Sequence, residues 1–131
     1  MSEHPTSHKM EIRVRYAECD PMGYVHHSRY FVYFEMARTE LLRRSGVRYR
    51  DMEERGFMFV VAKLTCRFRR PAYYDDRLTL KVRIVRTTRV KIEHEYELYR
   101  DGALLCEANT VLACVDGQGR IAPIPDDILH G

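Results

Sequence analysis

The chain has 131 residues, of which 45% are hydrophobic and 31% are charged, and its formal net charge is +3. This length and composition predict one globular domain, residues 1–131, with a single core. No apolar run approaches the ~20 residues that cross a bilayer, so we expect no transmembrane segment. A net charge this small does not favour a nucleic-acid partner.

The amino-terminal residues 1–9 are polar and lack the apolar stretch of a signal peptide. This predicts a flexible tail and, by default, a cytoplasmic location. The cysteines are far apart and include no C-x-x-C pair, which is typical of reduced thiols and not of a disulfide framework or a zinc site. They are Cys19, Cys66, Cys106 and Cys114.

A strand and a long helix are predicted first. Residues 10–16 alternate with period two, which predicts a strand with Met10, Ile12, Val14 and Tyr16 on its buried face. Residues 30–44 repeat apolar positions every three or four residues, as an α-helix does. Either Ser28 or His27 is the expected N-cap, and Gly46 ends the helix. The first two turns are apolar almost all round, so we expect them to be covered on several sides.

Four further strands follow the helix. Residues 57–69 form the first, and its apolar start at 57–61 predicts burial on both faces there. The other three strands are predicted at 78–84, 90–98 and 103–115. Short turns link these strands and favour antiparallel neighbours, because a parallel crossover needs about a dozen residues or more. We predict an α+β domain in which one curved, five-stranded antiparallel sheet wraps round the long helix.

Between the first strand and the helix, residues 19–30 contain a carboxylate, a turn-forming Pro-x-Gly, a phenol and two imidazoles. Asp20 is a candidate base toward water, or a nucleophile toward an acyl carbon. The alternative is that Asp20 merely caps the turn. Backbone N–H groups near His26, His27 and Ser28 carry the positive end of the helix dipole. They are candidates for holding the oxyanion that forms from a substrate carbonyl.

The other polar side chains of this stretch each have two interpretations. His27 either orients water or substrate, or caps the helix. Tyr24 either donates a hydrogen bond to a thioester or packs as an ordinary aromatic residue. A metal site at His26 and His27 is disfavoured because no H-x-x-x-H spacing accompanies the pair. His94 falls on the apolar face of its strand and is interpreted as a satisfied core histidine.

The sequence YAECDPMGYVHHSRY at 16–30, followed by FEMARTE at 34–40, resembles the hotdog-fold acyl-CoA thioesterases of the 4-hydroxybenzoyl-CoA thioesterase type. It is most similar to the branch that includes the bacterial Tol–Pal-associated thioesterases. The likeness continues through 59–61, 68–76 and 114–116 and covers nearly the whole chain. It implies a hotdog fold and hydrolysis of an acyl-CoA thioester without a metal or redox cofactor. It also implies homodimers with sites at the subunit interface, often paired into homotetramers.

The resemblance also implies roles for individual residues. Asp20 matches the family's base or nucleophile, and the backbone amide of His27 matches the oxyanion site. The side chain of His27 matches the histidine of the Tol–Pal branch. That branch usually has tyrosine immediately before it, where this chain has His26, so both His26 and Tyr24 are candidates at the substrate. Residues 21–23 are closer to the hydroxybenzoyl branch, so no acyl preference is implied.

A basic segment near residues 86–91 meets the nucleotide in the hydroxybenzoyl branch. Arg89 and Lys91 are therefore candidates for binding the phosphates of CoA, and the alternative is a solvated turn. The leading hypothesis is a homo-oligomeric acyl-CoA thioesterase that releases CoA and a carboxylic acid. The alternatives are a non-catalytic binder of acyl groups or acyl carrier protein, and a hotdog dehydratase, whose His-Phe-Pro-Gly type segment is missing here.

Overall fold

A computed structural model describes residues 6–129. Its strands are β1 (Ser7–Arg13), β2 (Phe57–Phe68), β3 (Arg77–Thr87), β4 (Lys91–Arg100) and β5 (Ala103–Asp116). Its helices are α1 (His27–Arg44), α2 (Tyr49–Glu54) and α3 (Asp126–Leu129), and Tyr16–Glu18 form a 3-10 turn. The strand order is β1-β3-β4-β5-β2, and every neighbouring pair is antiparallel. The predicted α+β architecture is confirmed.

Helix α1 packs one apolar face against the sheet. Tyr30, Phe34, Ala37 and Leu41 are all buried on that face. Phe34 stacks on Tyr96 of β4 with ring centroids 4.6 Å apart, which fixes the helix over the middle of the sheet. As predicted, Gly46 follows the helix with a φ of 91°, a conformation that a side chain would strain. None of the helices within residues 6–129 combines the length and hydrophobicity needed to cross a bilayer.

Strand β2 corrects the prediction of burial on both faces at 57–61. Among residues 6–129 it is an edge strand that pairs only with β5, and Met58, Val60 and Val61 are exposed. The reason is that one face of β2 packs inward while its other face and its free edge meet solvent. The apolar pattern therefore indicates a surface that another molecule can cover, and not a strand inside the sheet.

The predicted cover of the first two turns of α1 on several sides is also wrong within one chain. Val32 is 42% exposed and Met36 is 44% exposed. One sheet covers only one side of a helix, so the apolar residues on the other side stay at the surface.

Strand β1 begins and ends earlier than predicted. It starts at Ser7, which pairs with Arg83 of β3, so residues 7–9 of the expected tail are strand. Residues 1–5 of that tail lie outside the described residues. The alternation predicts Tyr16 on the buried face, but it lies in the 3-10 turn and is 79% exposed. The chain leaves the sheet after Arg13, so the alternation of side chains between two sheet faces does not extend to Tyr16.

Short links join neighbouring strands for β3–β4 and β4–β5, as predicted, but not for β2–β3. Eight residues lie between β2 and β3, yet β4 and β5 separate these strands. Three strand spacings amount to roughly 14 Å, which eight extended residues span easily. Link length limits the distance between strands but does not make them neighbours.

His94 of β4 is buried, as predicted, but it is not satisfied. Its side chain is 5% exposed, and its Nδ1 has no hydrogen-bond partner within the part of the chain that the structure describes. Burial, and secondarily the positive charge of Arg38, lower the pKa of His94 to about 4. The neutral imidazole is therefore the form that the fold accommodates.

The pKa of His94 predicts how stability depends on pH. The unfolded chain protonates His94 near its usual pKa of 6.5, whereas the folded chain resists this until about pH 4. The stabilisation is therefore complete above pH 6.5 and is lost as pH falls from 6.5 to 4, by about 3 kcal/mol. Denaturant unfolding of the wild type and of His94→Gln at several pH values in this range gives the free energy of unfolding. The slope of this free energy against pH is then compared between the two proteins.

His8→Gln is the matched control, because burial and Arg44 also lower the pKa of His8 but its side chain is only half-buried. We expect His8→Gln to change the slope less than His94→Gln does. Equal slopes in the wild type and His94→Gln would show that His94 does not titrate in this way.

Candidate active site

A tight turn displays Asp20 between β1 and α1. Cys19 and Val25 form an antiparallel bridge, and the Asp20 N–H donates to the Tyr24 carbonyl oxygen at 2.8 Å. The Gly23 N–H donates to the Asp20 carbonyl at 2.9 Å, and Gly23 has a φ of 84°. A residue with a side chain rarely adopts that conformation, which explains why Pro-x-Gly suits this turn.

The Asp20 carboxylate is held by one oxygen and open at the other. Oδ1 accepts hydrogen bonds from the backbone N–H groups of Met22 at 2.9 Å and Tyr24 at 3.1 Å. Oδ2 has no hydrogen-bond partner among residues 6–129, and the residue is half-buried. Asp20 does cap the turn. The same contacts fix the orientation of the carboxylate and leave Oδ2 available to another molecule.

The N-cap of α1 is His26, and not Ser28 or His27 as predicted. His26 is extended, and its ring Nδ1 accepts from the Ser28 N–H at 3.2 Å. The same nitrogen lies 2.9 Å from the Ser28 hydroxyl. A neutral imidazole nitrogen can accept as a serine hydroxyl does, so the cap moves toward the amino terminus and the helix starts earlier.

The backbone amide of His27 is unpaired at the start of α1. The neighbouring amides are used: His26 donates to the Glu18 carbonyl, Ser28 to the His26 ring, and Arg29 to the His26 carbonyl. No acceptor among the described residues meets the N–H of His27. Because α1 is 18 residues long, this donor lies at the positive end of a full helix dipole. It is suited to hold an anionic oxygen.

The residues predicted for the site lie on consecutive parts of one segment. The rings of His26 and His27 lie at 31° to each other with centroids 4.1 Å apart, and both residues are exposed. Tyr24 packs edge-on against Tyr73 with ring centroids 5.3 Å apart, and its hydrogen bond to a thioester stays a prediction. Asp20 and Tyr24 lie on the hairpin formed by residues 19–25, and His26 and His27 lie at the start of α1, which follows it directly.

Arg89 and Lys91 are not brought to this hairpin in one chain. Arg13, which ends β1 before the Asp20 turn, pairs with Arg77 at the start of β3. Arg89 and Lys91 follow the other end of β3, which is eleven residues long and extends roughly 30 Å along the sheet. Within one protomer these cations lie at the opposite end of the molecule from Asp20.

Two residues near the site, Glu18 and Tyr33, were not predicted from the sequence to be site residues. Glu18 is 5% exposed, and its Oε1 accepts from the Tyr33 hydroxyl at 2.7 Å and from the Arg15 N–H at 2.8 Å. The Arg15 guanidinium donates to Oε2 at 3.2 and 3.3 Å. The available signal was Tyr33, a phenol beside the apolar stripe of α1, because a buried tyrosine hydroxyl needs a partner.

In the buried pair of Glu18 and Tyr33, the carboxylate is negatively charged and the phenol is neutral. Burial is the largest single influence and raises the pKa of Glu18, but the hydrogen bonds from Arg15 and Tyr33 together outweigh it and leave that pKa lowered. Burial and the Glu18 carboxylate raise the pKa of Tyr33, so its hydroxyl stays protonated and donates.

Comparisons with known proteins agree on one family. The family model described as the thioesterase-like superfamily matches residues 14–131. Acyl-CoA thioesterase YbgC of Haemophilus influenzae is 34% identical over 114 residues, which cover 86% of this chain and 83% of the relative.

Two solved structures superpose on the chain. A hypothetical protein of Thermus thermophilus is 40% identical with a TM-score of 0.88, covering 93% of this chain and 94% of its own. The DHNA-CoA thioesterase of Staphylococcus aureus is 30% identical with a TM-score of 0.85, covering 92% of this chain and 81% of its own.

Proposed function

The chain belongs to the thioesterase-like superfamily, and we infer from this membership that it is an acyl-CoA thioesterase with a hotdog fold. It hydrolyses a thioester to CoA and a carboxylic acid. One observation carries the proposal for its catalytic groups: a carboxylate with a free oxygen and an unpaired helix amide lie on the same short segment, at Asp20 and His27.

The geometry supports two routes through Asp20. As a base, Oδ2 takes a proton from water, and the hydroxide attacks the acyl carbon. As a nucleophile, Oδ2 attacks that carbon itself and forms a mixed anhydride, which water then hydrolyses. In both routes the carbonyl oxygen becomes negative and accepts from the His27 N–H, and the thiolate of CoA leaves. The thiolate takes its proton from the protonated Asp20 in the first route and from solvent water in the second. The exposed rings of His26 and His27 lie where they can orient water or substrate.

We propose that the functional form is a homodimer paired through β2. Among residues 6–129 this strand has an unpaired backbone edge, and exposed apolar side chains lie on it and on α1. They are Met58, Val60, Val61, Leu64 and Phe68 on β2, and Val32 and Met36 on α1. A two-fold axis would pair β2 with its own copy in antiparallel register.

This pairing offers a role for the distant cations. Antiparallel pairing brings the Phe68 end of β2, near Asp20, against the Phe57 end of the partner's strand. The β4 strand that starts at Lys91 is two places from β2, roughly 10 Å away. The partner's Arg89 and the partner's Lys91 would then lie on the same side of the molecule as Asp20.

CoA carries its thioester and its phosphates at opposite ends of a long flexible arm, which suits a site divided in this way between two subunits. A cytoplasmic location and the pairing of dimers into tetramers stay predictions from the sequence.

A turnover screen tests the proposed reaction. Acyl-CoAs with short, long and aromatic acyl groups are incubated with the protein, and the released thiol is followed with a disulfide reagent. We expect thiol release for at least one class, matched by the carboxylic acid. Saturable binding without thiol release on the whole panel would instead indicate a non-catalytic acyl binder. Loss of water from a hydroxyacyl thioester without thiol release would indicate a dehydratase.

A further inference from the structure

The proposed mechanism does not use the buried Glu18 carboxylate, although it is the charged group nearest in sequence to Asp20. Burying a carboxylate is unfavourable unless hydrogen bonds compensate for the lost water. Here Tyr33 and the backbone and guanidinium of Arg15 supply four donors at 2.7 to 3.3 Å. A buried carboxylate that needs all of these donors is stable in only one position, so the contacts fix the position of Glu18.

Glu18 is connected to both proposed catalytic groups through the backbone. It lies two residues before Asp20, and its carbonyl accepts the His26 N–H at 2.9 Å, directly before His27. The bridge between Cys19 and Val25 continues this pairing toward the turn. A displacement of Glu18 would therefore move Asp20 and the start of α1 relative to each other.

The side chain of Glu18 connects this hairpin to the body of α1. Tyr33 lies six residues after His27 and is buried against the sheet, so its hydroxyl is a fixed point. Between residues 15–25 and α1, the Tyr33–Glu18 contact is the only side-chain hydrogen bond among the residues that the structure describes. The position of the hairpin relative to the helix axis therefore depends on this side-chain contact, on the backbone bond from His26 to Glu18 and on packing.

We propose that Glu18 and Tyr33 are positioning residues for thioester hydrolysis. Their hydrogen bond sets the distance between the Asp20 carboxylate and the His27 amide, and neither side chain touches the reacting atoms. This inference rests on the proposed roles of Asp20 and His27. A misplacement of about 1 Å can cost about 100-fold in rate, so a fixed contact outside the reacting centre controls turnover without changing the chemistry.

The test uses Tyr33→Phe in the 131-residue chain. It removes one hydroxyl and keeps the ring that packs against Tyr30. We expect kcat for thiol release to fall by about 10- to 100-fold with KM changed by less than about two-fold, at a temperature where the variant is folded. Glu18→Gln, which keeps the shape but loses the charge, is expected to lower kcat in the same direction.

Tyr96→Phe is the matched control. Tyr96 is equally buried, and its hydroxyl lies 2.7 Å from the Thr110 hydroxyl, away from the Asp20 turn. Both variants lose one buried hydrogen bond, so we expect similar decreases in the thermal midpoint, but only Tyr33→Phe should lose kcat. If Tyr33→Phe and Tyr96→Phe have equal thermal midpoints and Tyr33→Phe keeps the wild-type kcat, the proposal is overturned, because the contact is then structural only.

The Asp20→Asn background separates this inference from the proposed function. If Tyr33 acts through Asp20, adding Tyr33→Phe to Asp20→Asn should cause no further loss in single-turnover rate. A full additional loss would show that Tyr33 acts elsewhere and would overturn the positioning role. An Asp20→Asn variant with wild-type turnover would instead refute the proposed catalytic role of Asp20 itself.

Discussion

Replacing Asp20 by asparagine is expected to lower kcat by about 10²- to 10⁴-fold while the protein stays folded. The amide oxygen of asparagine can still accept from the N–H groups of Met22 and Tyr24, so the turn is kept. The amide NH2 takes the place of the free carboxylate oxygen, and it can neither take a proton from water nor attack an acyl carbon. Steady-state thiol release and a thermal unfolding curve measure the two parts of this prediction.

The chain contains a matched control for this substitution. Asp116 builds the same turn: its Oδ1 accepts from the N–H groups of Gln118 at 2.9 Å and Arg120 at 3.0 Å. Asp116→Asn therefore removes a charge from an equivalent turn that does not precede α1. We expect its turnover to stay close to wild type. Near-normal turnover of Asp20→Asn, or an equal loss in both variants, would refute a catalytic role for Asp20.

Activity is expected to return when two inactive variants are combined in one dimer. One variant is Asp20→Asn, and the other carries Arg89→Glu with Lys91→Glu, which repels the phosphates of CoA. If each site combines Asp20 of one subunit with the cations of the other, a mixed dimer has one site with no substitution. Purified heterodimers should then show about half of the wild-type activity.

This experiment depends on separating the heterodimers, which two different affinity tags and sequential purification allow. The assay uses a substrate concentration below the KM of the wild type, so that weakened CoA binding lowers the rate. The control is a heterodimer of Asp20→Asn with a subunit that carries both sets of substitutions, which has no intact site. Heterodimers no more active than either parent would show that the cations do not act across the interface.

The sequence predicted the secondary structure and the reactive loop because both are encoded locally. Period two and period three-to-four patterns indicated the strands and α1, and they depend only on neighbouring residues. The loop around Asp20 was recognisable because Pro-x-Gly forms a turn directly before a helix. Its resemblance to a thioesterase family led to the function that the comparisons support.

Other features were decided only by the tertiary structure. Apolar alternation shows that a strand face avoids water, but not whether a helix, another strand or a second subunit covers it, so the edge position of β2 was missed. The acceptor that caps α1 and the partner that holds Glu18 come from residues that meet in space: His26 turns back over Ser28, and Tyr33 reaches across from the helix. Local patterns indicate which side chains must be buried or hydrogen-bonded, whereas long-range packing decides which residues cover them or bond to them.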